Sequence, residues 1–149
     1  MSIEDDVNLF ASLPTLRLLG MEAIRVLAIG AEVREVRRDE ILFEAGESAD
    51  CGYVVREGAI QVSSSAEGAY RDVVAGPGHL IGELALVVDL QRPARAIAIA
   101  DSTVIRISRS LFQRVLESHP EAAQRLRDYF ASRTSQAASE MLTASGKLA

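Results

Sequence analysis

Tryptophan is absent from this 149-residue chain, cysteine occurs once, and only 5% of the residues are aromatic. A single thiol, Cys51, excludes an internal disulfide framework and a cysteine-ligated iron–sulfur cluster built within one chain. With so few rings, a core has to be assembled from Val, Ile, Leu and Ala. A basic excess is missing too: 16 Lys and Arg stand against 21 Asp and Glu, a net charge of −5. That balance, with no basic cluster, argues against a nucleic-acid surface. No apolar run reaches the roughly 20 residues that cross a bilayer. The N-terminus, Ser2-Ile3-Glu4-Asp5-Asp6, is acidic rather than signal-like. A cytoplasmic protein without membrane attachment is therefore expected. The two histidines, His79 and His119, form no His-x-His pair, and a metal centre needs clustered ligands. No nucleophile–base pair stands out, so an enzyme is not expected.

What is present is a globular composition, 48% hydrophobic and 25% charged. The length suits a single domain over 1–149. Leu16, Leu19, Ala23, Ile24, Val26 and Leu27 fall mostly on one helical face, and Gly30 lies near the end of that stretch. From about 32 to 108 the pattern changes to short strands separated by turn residues. The candidates are Val33–Val36, Glu40–Phe43, Tyr53–Arg56, Ala59–Ser63, Tyr70–Val74, Ala94–Ala100 and Thr103–Ile107, with Gly46, Gly58, Gly68 and Gly76-Pro77-Gly78 between them. Helix returns over about 109–142. Ser108 is the expected N-cap, and His119-Pro120-Glu121 restarts a second helix. The expected class is mainly β with flanking α-helices: an antiparallel double-stranded β-helix, or jelly roll, with N-terminal and C-terminal helices.

The densest chemistry lies at Gly82-Glu83-Leu84-Ala85-Leu86 and, after a gap, Arg92-Pro93-Ala94. Gly82 lets a backbone approach a partner closely. Glu83–Val88 reads as one short helical turn, whose first N–H groups are unpaired and face outward. Arg92 is a planar fork matched to two phosphate oxygens. Glu83 would repel a phosphate, so its partner is a neighbouring hydroxyl. An acid for a hydroxyl, an arginine for an anion and a helix start together point to a ribose phosphate.

These residues resemble the phosphate-binding cassette of cyclic nucleotide-binding domains, which occur in catabolite-activator-type regulators, cyclic-AMP-dependent kinase regulatory subunits and cyclic-nucleotide-gated channels. Other family-like pieces flank the cassette in order: Ile41–Glu47, Tyr53–Gly58 and Gly76–Gly78. The resemblance spans about 8–133 and implies a β-roll whose ligand-binding residues are Gly82, Glu83, Leu84, Ala85, Arg92, Pro93 and Ala94. Arg92 and the Glu83–Ala85 amides would hold the cyclic phosphate, and Glu83 would take the ribose 2′-hydroxyl. The last helix would close over the purine, with Tyr129, Phe130 and Arg133 as the residues to watch. No cofactor is implied beyond the ligand itself. No helix-turn-helix follows within the chain, so a stand-alone sensor acting on an effector protein or a homo-oligomer is expected.

Two residues depart from the family pattern. Pro93 has no N–H where the family usually donates one to the phosphate. It also cannot imitate the Thr of members that prefer cyclic GMP, so cyclic AMP is favoured over cyclic GMP. Arg95 stands where Thr or Ser is common. Alternation puts Ala94, Ala96, Ala98 and Ala100 on one face and Arg95, Ile97 and Ile99 on the other, a face suited to self-association. Two function classes stay open at this point: a cyclic nucleotide sensor, and a degenerate roll serving as a ligand-free scaffold or oligomerisation module.

Overall fold

The computed structural model describes residues 2–64 and 71–132. Three helices lead: α1 (Ile3–Ala11), α2 (Pro14–Arg17) and α3 (Met21–Gly30). The strands that follow are β1 (Glu32–Val36), β2 (Ile41–Phe43), β3 (Ser48–Ala49), β4 (Cys51–Glu57), β5 (Ile60–Ser64), β6 (Arg71–Ala75) and β7 (Leu80–Ile81). A 3-10 turn, Glu83–Leu86, precedes β8 (Leu90–Gln91), β9 (Arg95–Ala98) and β10 (Ser102–Ser108). Helices α4 (Arg109–Ser118) and α5 (120–132) close the described chain. The expected class is therefore observed: antiparallel sheets with flanking helices, arranged as a β-roll.

Strand β4 explains how the core divides. It is buried on both faces, so its alternation feeds two different layers. Cys51, Tyr53 and Val55 point between the two four-stranded sheets, where they meet Phe43, Ile60, Ala96, Ala98 and Val104. Val54 points the other way, into a cluster with Phe10, Leu16, Ile24, Leu27, Ile107 and Phe112 that seats the helices. Arg56 also faces the helices and makes an ion pair with Asp6 of α1, at 2.7 Å to each carboxylate oxygen. One sheet runs β1-β10-β4-β7 and the other β2-β9-β5-β6, with a β3-β8 ribbon beside them. Within β10, Val104 faces the second sheet while Ile105 and Ile107 face the helices.

Local signals account for the element boundaries. Ser2 caps α1, accepting the Asp5 N–H and donating its own N–H to the Asp5 carboxylate. Ser108 caps α4 by accepting the Leu111 N–H, as expected. α3 ends at Gly30, where a methyl group would sit 2.8 Å from Leu111 of α4. Val26 is a correction to the helical stripe. Ala23, Ile24, Leu27 and Ala28 are buried, but Val26 lies about two positions round the helix from Ile24 and stays exposed.

β9 is shorter than expected, because the chain bends at 99–100. Ala94, Ala96 and Ala98 are buried, letting the two sheets approach closely, whereas Ala100 is only partly covered. The opposite face is not covered by another element among the described residues. Ile99 stays exposed there, and Arg95 pairs at 2.8 Å with Glu44, the residue that follows β2. Tyr70, Gly68, Arg133 and the segment 133–142 lie outside the described residues.

Candidate functional site

The cassette begins with a change of backbone hand. Gly82 is left-handed (φ 77°, ψ 36°), and the chain then tightens into the 3-10 turn Glu83–Leu86. Closing that turn uses the Ala85 N–H, which donates to Gly82 O at 3.1 Å. This corrects the expectation that the Ala85 amide faces a ligand. The amides of Glu83 and Leu84 lie at the start of the turn, ahead of any partner within it.

Arg92 is anchored from both ends. Its main chain bonds to the Gly46–Glu47 turn, with Arg92 N–H to Glu47 O at 2.7 Å and Gly46 N–H to Arg92 O at 2.8 Å. Its side chain turns inward and is only 5% exposed. Nη2 donates to Cys51 O at 2.9 Å and approaches Cys51 Sγ at 3.3 Å. The guanidinium carbon lies 4.3 Å from the centroid of the Phe43 ring and 5.8 Å from that of Tyr53. Among the described residues Arg92 makes no ion pair with a carboxylate.

Gly82 has a second reason to be glycine. A Cβ there would lie 2.5 Å from Arg92 Nη1, so the space left by the missing side chain is filled by the guanidinium. The close approach expected at Gly82 is made by the protein's own arginine.

All seven expected residues, Gly82, Glu83, Leu84, Ala85, Arg92, Pro93 and Ala94, line one pocket of about 220 Å³. Phe43, Val62, Ile81 and Leu90 complete its wall. Its wall is apolar apart from Arg92 and Glu83. Pro93 offers no N–H to it. A larger cleft, about 560 Å³, lies between α3 and the start of α5, away from the cassette.

The aromatics of α5 do not reach this pocket. Tyr129 and Phe130 pack edge to face, 5.5 Å apart at 72°. Tyr129 lines a cleft with Leu13, Pro14, His79 and Glu83, while Phe130 lines an apolar groove with Leu84, Val88 and Leu126. Leu84, 54% exposed, borders both that groove and the cassette pocket.

The reading from sequence missed the residues that hold Arg92. Phe43 and Tyr53 stand in recognisable family-like segments, yet nothing in those segments marks them as the arginine's neighbours. Cys51 drew attention only for its thiol. It is buried, and its carbonyl is the shorter contact. Neither histidine belongs to a group able to hold a metal among the described residues. None of the described helices is long and apolar enough to cross a membrane.

Residues 33–119 match the cyclic nucleotide-binding domain family. The chain is 36% identical to a cyclic nucleotide-binding-like protein from Brucella abortus, covering 76% of this chain and 98% of that one, with a TM-score of 0.67. It is 27% identical to the N-terminal domain of a transcriptional regulator from Streptomyces coelicolor, covering 89% and 94%, with a TM-score of 0.80. It is also 27% identical, over 80% of its length, to the HTH-type transcriptional regulator Cmr of Mycobacterium tuberculosis, of which it spans 49%. The chain spans half or less of the length of the curated relatives it matches first. The chain belongs to the cyclic nucleotide-binding domain family.

Proposed function

We propose that the cassette pocket binds a cyclic nucleotide, cyclic AMP in preference to cyclic GMP, and that α5 passes its occupancy to an effector. One observation carries the reading: an arginine that is only 5% exposed, makes no ion pair among the described residues, and borders an open pocket. A buried charge is costly unless something of opposite sign meets it. An anion entering the pocket supplies that charge at Arg92. Glu83, in the same wall, accepts a sugar hydroxyl. The volume of about 220 Å³ lies below the roughly 300–1,000 Å³ of most small-molecule sites. The phosphate and ribose would sit inside and the base at the mouth. Pro93 removes one main-chain donor, so affinity rests more heavily on Arg92 than the family pattern implies.

Leu84 supplies the route outward, because it borders both the pocket and the groove against α5. Ligand moves α5 only to the extent that it binds one α5 position better than another. A second reading, a ligand-free scaffold, is favoured by Pro93 and by the Ala85 amide being used within its own turn. Calorimetric titration with cyclic AMP separates the two. Wild-type heat that disappears in Arg92→Ala supports the sensor; a silent wild-type titration refutes it and supports the scaffold.

A further inference from the structure

Arg92 could have been held by a carboxylate, which would have neutralised it. Instead its guanidinium carbon lies over the Phe43 ring, 4.3 Å from the centroid, with the Tyr53 centroid alongside at 5.8 Å. The two rings are themselves stacked, 6.1 Å apart and 24° from parallel. An aromatic face attracts a cation through its quadrupole while carrying no net charge. It can therefore fix a guanidinium in place and leave its full positive charge available. We infer that Phe43 is a positioning residue for the anion site, holding Arg92 toward the pocket without spending its charge. This rests on the reading above that Arg92 meets an anion.

The local structure supports a fixed rather than an incidental contact. Phe43 is 6% exposed and Tyr53 5%, so neither ring has room to swing away. Phe43 is placed by its register opposite Ala96 of β9. The bonds from Nη2 to Cys51 hold one end of the guanidinium, the Phe43 ring lies against its carbon, and Gly82 lies against Nη1. Among the described residues, Nε and Nη1 are left without a protein acceptor, and these are the donors an anion would use. Phe43 also lines the same pocket, so ring and ligand share the guanidinium.

Two readouts on the full chain test this. The first is the Arg92 Nε–H resonance of the free protein, assigned by its loss in Arg92→Lys. A ring stacked on the guanidinium shifts it upfield and slows its exchange. Phe43→Leu should return it to the position of a solvated arginine, while Phe43→Tyr, which keeps a ring, should not. The second is titration with cyclic AMP. Phe43→Leu should weaken binding by roughly tenfold, and Phe43→Tyr should restore most of the loss. A resonance unchanged by Phe43→Leu overturns the inference, as does equal weakening by Leu and Tyr. If the wild type gives no heat with cyclic AMP, the binding reading fails instead, and the Nε–H resonance alone decides whether Phe43 positions the arginine.

Discussion

Replacing Gly82 with alanine should do more damage than a helix-adjacent methyl group ordinarily does, and the excess should depend on Arg92. Two costs are involved. The left-handed backbone at φ 77° costs an L-residue about 1–2 kcal/mol. The new Cβ would also stand 2.5 Å from Arg92 Nη1, so the guanidinium must move. Moving it strains or breaks its charged hydrogen bond to Cys51 O, which contributes about 1.5–3 kcal/mol. The arginine is long and yields in part, so the sum should come to about 3 kcal/mol. In an Arg92→Ala background only the backbone cost remains, about 1–2 kcal/mol. Urea denaturation of wild type, both single variants and the double variant measures the difference. A coupling of about 1.5 kcal/mol is expected. If Gly82→Ala costs the same in both backgrounds, to within about 0.5 kcal/mol, the packing argument is wrong.

Two other groups give separable predictions. Asp6 and Arg56 form an ion pair whose side chains are only 8% and 13% exposed. Asp6→Ala strands a buried guanidinium and should cost about 3 kcal/mol in urea denaturation; a loss below about 1 kcal/mol would mean that water takes the place of the carboxylate. Burial, together with the neighbouring Cys51 thiol, pushes the Tyr53 hydroxyl above its ordinary range, and the Arg34 and Arg92 guanidinium groups oppose the shift. The folded state thus holds this proton more tightly than the unfolded chain. The resulting stability is present below the unfolded value of about 10 and fades as pH rises toward the higher folded value. Tyr53→Phe should abolish that alkaline loss in a pH series of denaturation curves. An unchanged alkaline slope would show that Tyr53 titrates like a solvated phenol.

The parts of the fold legible in the sequence are those with local causes. β1, β4, β5 and β10 are five to seven residues long, enough for a pattern or a pair of flanking turns to show. β3, β7 and β8 have two residues each, too few for any period. They exist because Ser48 meets Gln91, Ala49 meets Leu90 and Tyr53 meets Ile81 across the fold. The cassette residues were legible for a similar reason. They lie within 82–94, so one turn and one short ribbon bring them to a single pocket. The Ala85 amide was misjudged because a 3-10 turn bonds three residues back, using a donor that seemed available. Arg92's surroundings could not be read at all. Phe43, Cys51 and Tyr53 stand about forty to fifty residues before it, and only sheet topology brings them together.

The chain has seven aromatic side chains, four Phe and three Tyr, and two of them are stacked beside one buried arginine. A fold short of rings would bury more apolar area by placing them against leucine and isoleucine. A cation held by ring faces and a carbonyl is also less stable, as packing, than an apolar side chain of similar volume. The arrangement makes poor sense as core construction. It makes sense if the positive charge has to stay unneutralised inside the roll until something from outside meets it. Local violations of good packing that persist beside an open pocket are where function is expected to sit. By that reasoning Arg92 and its ring carry more of the case for ligand binding than the order of the cassette residues does, because cassette order can outlive a lost ligand, whereas a buried charge continues to cost stability.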